Sequence, residues 1–198
     1  LIRYLCTITI VISLVAICLT GAAHSAGTVS DIYRDVEALK IGLSGYTLGA
    51  RLNGSQKEMA QRNRVDTSTP GTYKFKDKRV NIVADSKTDR VVIIFETLEN
   101  ASQQQIRDMV GSLTIAFKDP TLSAHDKIVY WAYGKEGKYS AAKFEAAKEQ
   151  QNPLPVIATI KLQSEVPIME RGQDRASGRI YYIVSSEPLL KQFAPSSP

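Results

Sequence analysis

The 198-residue sequence predicts an α+β chain, and three observations carry that prediction. Residues 28–40 and 102–117 repeat their apolar positions at a spacing of three and four, the period of a helix. Residues 72–98 hold three short β-branched and aromatic runs separated by turn residues, which reads as an antiparallel meander. Helical and strand segments come in blocks rather than in strict alternation, which favours segregated layers over a parallel α/β sheet. The composition, 43% apolar and 23% charged, is that of an ordinary globular protein and excludes a disordered or collagen-like chain.

The elements follow in order. In 28–40, Val29, Ile32, Val36 and Leu39 form one stripe, with Ser30 as the cap and Gly42 as the stop. The stretch 41–54 places Gly42, Gly45, Gly49 and Gly54 among apolar residues, giving a short strand or a packed turn. Ser55 followed by Glu58 makes a capping-box pattern, so a short helix is expected over 56–63. Pro70-Gly71 marks a turn. Strands are expected at 72–75, 80–84 and 90–98. The third, Val91 to Phe95, is apolar on both faces and reads as a central strand covered on both sides.

The pattern then restarts. Ser102 and Gln105 form a second capping box, and Ile106, Met109, Val110, Leu113 and Phe117 make the strongest helical stripe in the chain. Ile128–Tyr133 is an aromatic strand. Residues 140–151 have helical composition but only Phe144 to pack, so they form a peripheral helix or a hairpin excursion. Residues 156–162 alternate cleanly, 170–178 are polar and loop-like, 180–184 form the last strand, and 194–198 are a tail.

The first residues carry a different message. Arg3, an apolar run from Leu5 to Leu19, and the small residues Ala23 and Ser25 appear in the order of a secretory signal peptide. Cleavage is expected before Ala26. The run is shorter than the roughly 20 residues of a spanning helix. Ile17 before Cys18 is bulky for a lipidation signal, so membrane contact is expected only through the leader unless the chain is lipidated. Both cysteines, Cys6 and Cys18, lie in this leader, and His125 is then the only histidine of the mature chain. A chain without thiols has no thiolate nucleophile, disulfide or cysteine metal ligand. The organisation is therefore a signal peptide over 1–25, a first helix/antiparallel-strand half over 26–100 and a second over 101–198. The expected location is secreted, in the bacterial periplasm.

A Ser-capped helix, a Phe-x-Asp-Pro turn and an aromatic strand resemble the repeating unit of the β-lactamase-inhibitor-protein-like fold. The residues are Ser102, Ile106, Val110, Phe117, Asp119, Pro120, Tyr130, Trp131 and Tyr133, with Ser55, Glu58, Gly71, Tyr73 and Phe75 as the first copy. The same unit occurs in the small accessory lipoprotein of the outer-membrane barrel-assembly machine. The resemblance implies two tandem helix-plus-antiparallel-sheet units and proteins that act by binding other proteins. The sequence departs from that pattern at Lys118, where the family's turn usually has Gly, and in lacking a lipobox at Cys18.

Catalytic chemistry finds little footing. Ser123-Ala124-His125-Asp126 offers a general base beside an acid, but no Gly-x-Ser-x-Gly elbow supplies a nucleophile. His125 therefore reads first as a loop histidine, and a hydrolase using His125 or carboxylates is the alternative. Asp85-Ser86-Lys87-Thr88-Asp89 lacks the Gly and Glu of a calcium loop and reads as a solvated turn. No phosphate loop occurs. No metal ligand set and no cofactor are expected, and a formal charge of +5 is too small to imply nucleic acid. Lys74, Lys76, Lys78 and Arg79 cluster around one strand, and alternation places Lys74, Lys76 and Lys78 on one face. Their first reading is a solvated face, with a phosphate or anionic-lipid contact as the alternative. The binding candidates are Trp131, Tyr133 and Tyr130, because Trp and Tyr are common hot-spot residues. Strand alternation puts Trp131 and Tyr133 on one face and Tyr130 on the other. Core packing is the first reading for Trp131. Tyr181, Tyr182 and Arg179 form a weaker case. The expected activity is non-enzymatic binding of another protein or an envelope component, as an assembly accessory in the second reading.

Overall fold

The structure, a computed structural model, describes residues 28–65, 67, 69–168 and 177–194. The leader with Cys6, Cys18 and His24 lies outside them, as do most of the 170–178 loop and the end of the tail. The elements are α1 (Val29–Ala38), β1 (Gly42–Leu43), β2 (Tyr46–Thr47), α2 (Gly54–Arg62), β3 (Arg64–Val65), β4 (Thr72–Asp77), β5 (Val80–Asp85) and β6 (Val91–Ser102). They continue with α3 (Gln103–Phe117), β7 (Leu122–Ala124), β8 (Ile128–Gly134), β9 (Gly137–Lys138), α4 (Ala141–Glu149), β10 (Ala158–Ser164), β11 (Ser177–Ser185) and α5 (Glu187–Leu190), which runs into a 3-10 turn at Lys191–Phe193. The fold class is α+β. The main sheet is antiparallel throughout, in the order β3-β4-β5-β6-β11-β10-β8-β7, with β9 attached to β8.

That order has a simple logic. Each half of the chain supplies four strands of this path, the second half adding β9 beside β8, and the last strand of each half, β6 and β11, pair at the centre. The short strands β3 and β7 occupy the two edges. An edge strand of two or three residues offers few free backbone groups to a stray chain. β6 runs on to Ser102, so residue 100 lies inside a strand, and both halves share one sheet.

The helix starts show which capping patterns the fold uses. Ser102 and Gln105 cap α3 as the sequence predicts: the Gln105 N–H donates to Ser102 Oγ at 3.3 Å, and the Ser102 N–H to Gln105 Oε1 at 2.8 Å. Two expected caps are displaced. α1 is capped by Thr28 rather than Ser30, with Asp31 closing the box. α2 is capped by Asn53 with Gln56, rather than by Ser55 with Glu58. Gln56 also donates to the Gly45 carbonyl at 3.0 Å, a tertiary bond that anchors this start. The α1 stripe shifts as well: Tyr33 and Val36 are buried, and Val29 is half exposed.

The core lies on one face of the sheet. Phe75, Ile82, Ile94, Val184, Ile160 and Trp131 form a row across six strands, and each is 0% exposed. The glycine-rich stretch packs there too, where Tyr46 meets the Phe75 ring edge-on at 5.7 Å. The helix over 140–151 is α4, with no buried residue of its own.

Candidate functional site

One step along each strand, the register produces a second row on the opposite face. It reads Lys76, Asn81, Phe95, Ile183, Lys161, Tyr130 and Leu122, and every one is at least partly exposed. Beside it run Thr97, Tyr181, Gln163 and Ile128, all part-exposed. On the other side run Lys74, Val83, Ile93, Ser185, Thr159 and Ala132, of which only Val83 and Ala132 are buried. The sheet thus has a sealed face and an open face. The expectation that β6 is covered on both sides is corrected here: Ile94 is sealed, but Ile93 and Phe95 stand on the open side.

The three aromatic candidates of β8 are divided by the same alternation. Trp131 is wholly buried, its ring 6.2 Å from Phe117 and its Nε1–H donating to the Lys118 carbonyl at 2.8 Å. Tyr133 is buried on that face too, and burial pushes its hydroxyl pKa up to about 12. Neither presents a contact surface. A large ring next to the sheet's edge is worth more packed against the end of α3 than exposed to water. Tyr130 alone lies on the open face, where it joins Phe95, Ile183 and Tyr181. No sequence pattern marks Phe95 and Ile183 as surface residues, because an apolar run gives no sign of which face is sealed. Tyr182 belongs to the core.

Charges frame this face. Lys161, in the middle row, is part-buried, and burial pulls its pKa below the usual lysine value. Lys78 lies in the β4–β5 turn with φ 53°, so only Lys74 and Lys76 of the predicted cluster share the open face. Arg179 at the rim is held by Glu99 at 2.7 Å and Glu165 at 3.8 Å.

No protein-family model, curated protein or solved structure matches this chain.

The remaining polar clusters are built differently. His125 and Asp126 form the exposed tip of the β7–β8 hairpin, both with positive φ, as in a type I′ turn. Asp85 is not solvated: it is 6% exposed, accepting from the Lys87 N–H at 2.8 Å, Thr88 Oγ at 2.6 Å and Tyr33 Oη at 3.3 Å. A cleft of about 150 Å³ opens between α2 and the β5–β6 turn, lined by Lys57, Gln61, Arg64, Tyr73 and Asp89. It is smaller than the roughly 300–1,000 Å³ of ordinary ligand pockets. Its one carboxylate is already used, since Asp89 accepts from Lys57 Nζ at 2.8 Å and Tyr73 Oη at 2.9 Å. Among the described residues no three His, Asp or Glu side chains gather in a metal-binding group.

The cleft has a measurable signature. The bonds from Lys57 and Tyr73 hold the Asp89 carboxyl below its ordinary pKa. A carboxyl depressed in the folded state stabilises the fold above its unfolded value, near 3.9, and loses that contribution as pH falls through the folded value. Asp89→Asn is therefore expected to flatten the stability curve below about pH 4, and to cost only about 0.5–1 kcal/mol at neutral pH, since the pair is part-exposed. Urea unfolding across the acid range measures this. An unchanged acid slope in the variant would remove Asp89 as the cause.

Proposed function

We propose that this protein is a secreted, periplasmic, non-enzymatic binding protein that docks another protein on the open face of its sheet. The observation that supports this reading is the row Phe95, Ile183, Tyr130 with Tyr181 beside it: aromatic and aliphatic side chains left part-exposed on a broad sheet face while the opposite row is sealed. Contiguous apolar surface rimmed by polar groups marks interaction sites in soluble proteins. Tyrosine and phenylalanine are enriched at the centres of such sites. Secretion rests on the leader pattern of residues 1–25, and a role beside envelope assembly machinery rests on the resemblance of the helix–turn–strand unit.

The test is retention of a stoichiometric partner from the envelope fraction by the full chain. Phe95→Ser with Tyr130→Ser is expected to abolish retention while leaving the circular-dichroism melt cooperative. Ile115→Ser, at a 78% exposed site on α3, serves as the control and is expected to retain the partner. Equal retention by the Phe95/Tyr130 variant would place the function elsewhere.

A further inference from the structure

The charge on the open face narrows the chemistry of what it binds. Lys74 and Lys76 stand on β4, and Lys161 stands on β10. Neither the Lys76–Tyr130 row nor its two flanking rows contains a carboxylate, and Glu187, which lies near Tyr130 at the start of α5, is paired with Lys191 at 2.9 Å. Some cations at the rim are neutralised within the chain, as Arg179 is by Glu99 and Lys57 by Asp89, whereas Lys78 and Lys127, in the turns, are not paired among the described residues. Lys74, Lys76 and Lys161 have no ion pair among the described residues. Phe95 lies between them, two strands from Lys76 and two from Lys161, or about 10 Å on each side at ordinary strand spacing.

Resting on the docking reading above, we infer that the partner segment carries an apolar or aromatic anchor bracketed by carboxylates. The anchor sits on Phe95 and Ile183, and the flanking acids reach Lys74 or Lys76 on one side and Lys161 on the other. Charge complementarity of this kind sets partner choice and association rate. Lys161 adds a specific reason: part-buried without an anion, it costs free energy that a partner carboxylate offsets. A second copy of this chain fits poorly, because apposed open faces bring lysines against lysines. A membrane also fits poorly, because Phe95, Ile183 and Tyr130 are only part-exposed, whereas interfacial insertion needs apolar groups that project into the lipid.

A random-peptide phage library selected on the full chain tests this. The expected yield is peptides with Asp or Glu on both sides of an aromatic or aliphatic residue. A synthetic copy of the recovered peptide, measured by calorimetry, is expected to weaken at least about tenfold on Lys76→Glu with Lys161→Glu, and by a similar factor when its acids become amides. Its affinity is expected to fall as salt is raised. If the amide copy binds as well as the acidic one and Phe95→Ser still removes both, the docking face stands and the acidic partner is overturned. Peptides indifferent to Phe95→Ser overturn the docking reading itself. No enrichment, binding of phosphatidylglycerol vesicles in place of peptides, or self-association in the ultracentrifuge that Lys161→Glu alters would each overturn the inference.

Discussion

Replacing Trp131 by alanine is expected to destabilise the fold by about 3–5 kcal/mol, the usual cost of emptying a large aromatic site in a core. Trp131 ends the sealed row across six strands, so little can collapse into the space it leaves. The substitution also removes the indole donor of the Lys118 carbonyl, where the chain leaves α3 with φ 62°. A carbonyl deprived of its partner costs a further share unless water reaches it. Trp131→Phe keeps one ring in place and loses the N–H with only part of the indole volume, so its smaller cost bounds the hydrogen-bond term. Urea denaturation with an unchanged m-value reads the difference directly. A loss below about 1 kcal/mol for the alanine variant would show that the ring does not hold the sheet and α3 together. The same arithmetic makes Trp131→Ala a poor probe of binding, because any lost contact is confounded with lost folding. Tyr130, its neighbour in sequence, is the proper probe.

Gly49→Ala is expected to cost roughly 2–4 kcal/mol, far more than a surface glycine substitution. Two independent facts add. Gly49 has φ +81°, a conformation that L residues adopt only with strain. A Cβ there would also lie 2.9 Å from the Glu37 nitrogen and 3.0 Å from the Tyr33 carbonyl oxygen, both backbone atoms of α1. Backbone cannot swing aside as a flexible side chain does, so α1 would have to lift. That movement would pull Tyr33 from Asp85 and Glu37 from Arg90, which it meets at 2.7 Å. Gly54→Ala is the matched control: nothing lies within 4 Å of its Cβ position, and it sits at the start of α2. A cost for Gly49→Ala no larger than that of Gly54→Ala, compared by thermal melts, would show that α1 does not depend on this close approach.

The two cases mark where local information ended. Gly42, Gly45, Gly49 and Gly54 are plainly visible in the sequence, and the absence of a phosphate-loop pattern there is equally plain. Their purpose is not, because close approach is a relation between distant segments. A Cβ at Gly42 would strike the Tyr46 carbonyl of the paired strand, and one at Gly49 would strike a helix. Capping divides in the same way. Ser102 and Gln105 were legible because a capping box closes within four residues. Asn53-x-x-Gln56 and Ser55-x-x-Glu58 overlap and are both plausible, and the Gln56 bond to Gly45, eleven residues back, anchors the first. The Asp85–Asp89 turn looked solvated because its letters are polar. Ser86 and Lys87 are exposed, but Asp85 is buried and tied down by Tyr33, fifty-two residues earlier.

By itself the sequence determined the α+β class, the antiparallel runs and the alternation that sends Trp131 and Tyr130 to opposite sides. These follow from the periods of helix and strand, which any short window contains. The tertiary structure alone decided which side of the sheet is sealed. β6 and β11, apolar on both faces, pair at the centre, and α3 together with the glycine-rich segment covers only the face bearing Trp131. Phe95, Ile183 and Tyr130 are left partly open on the other face. Burial is a property of what lies across from a residue, and no local pattern carries it.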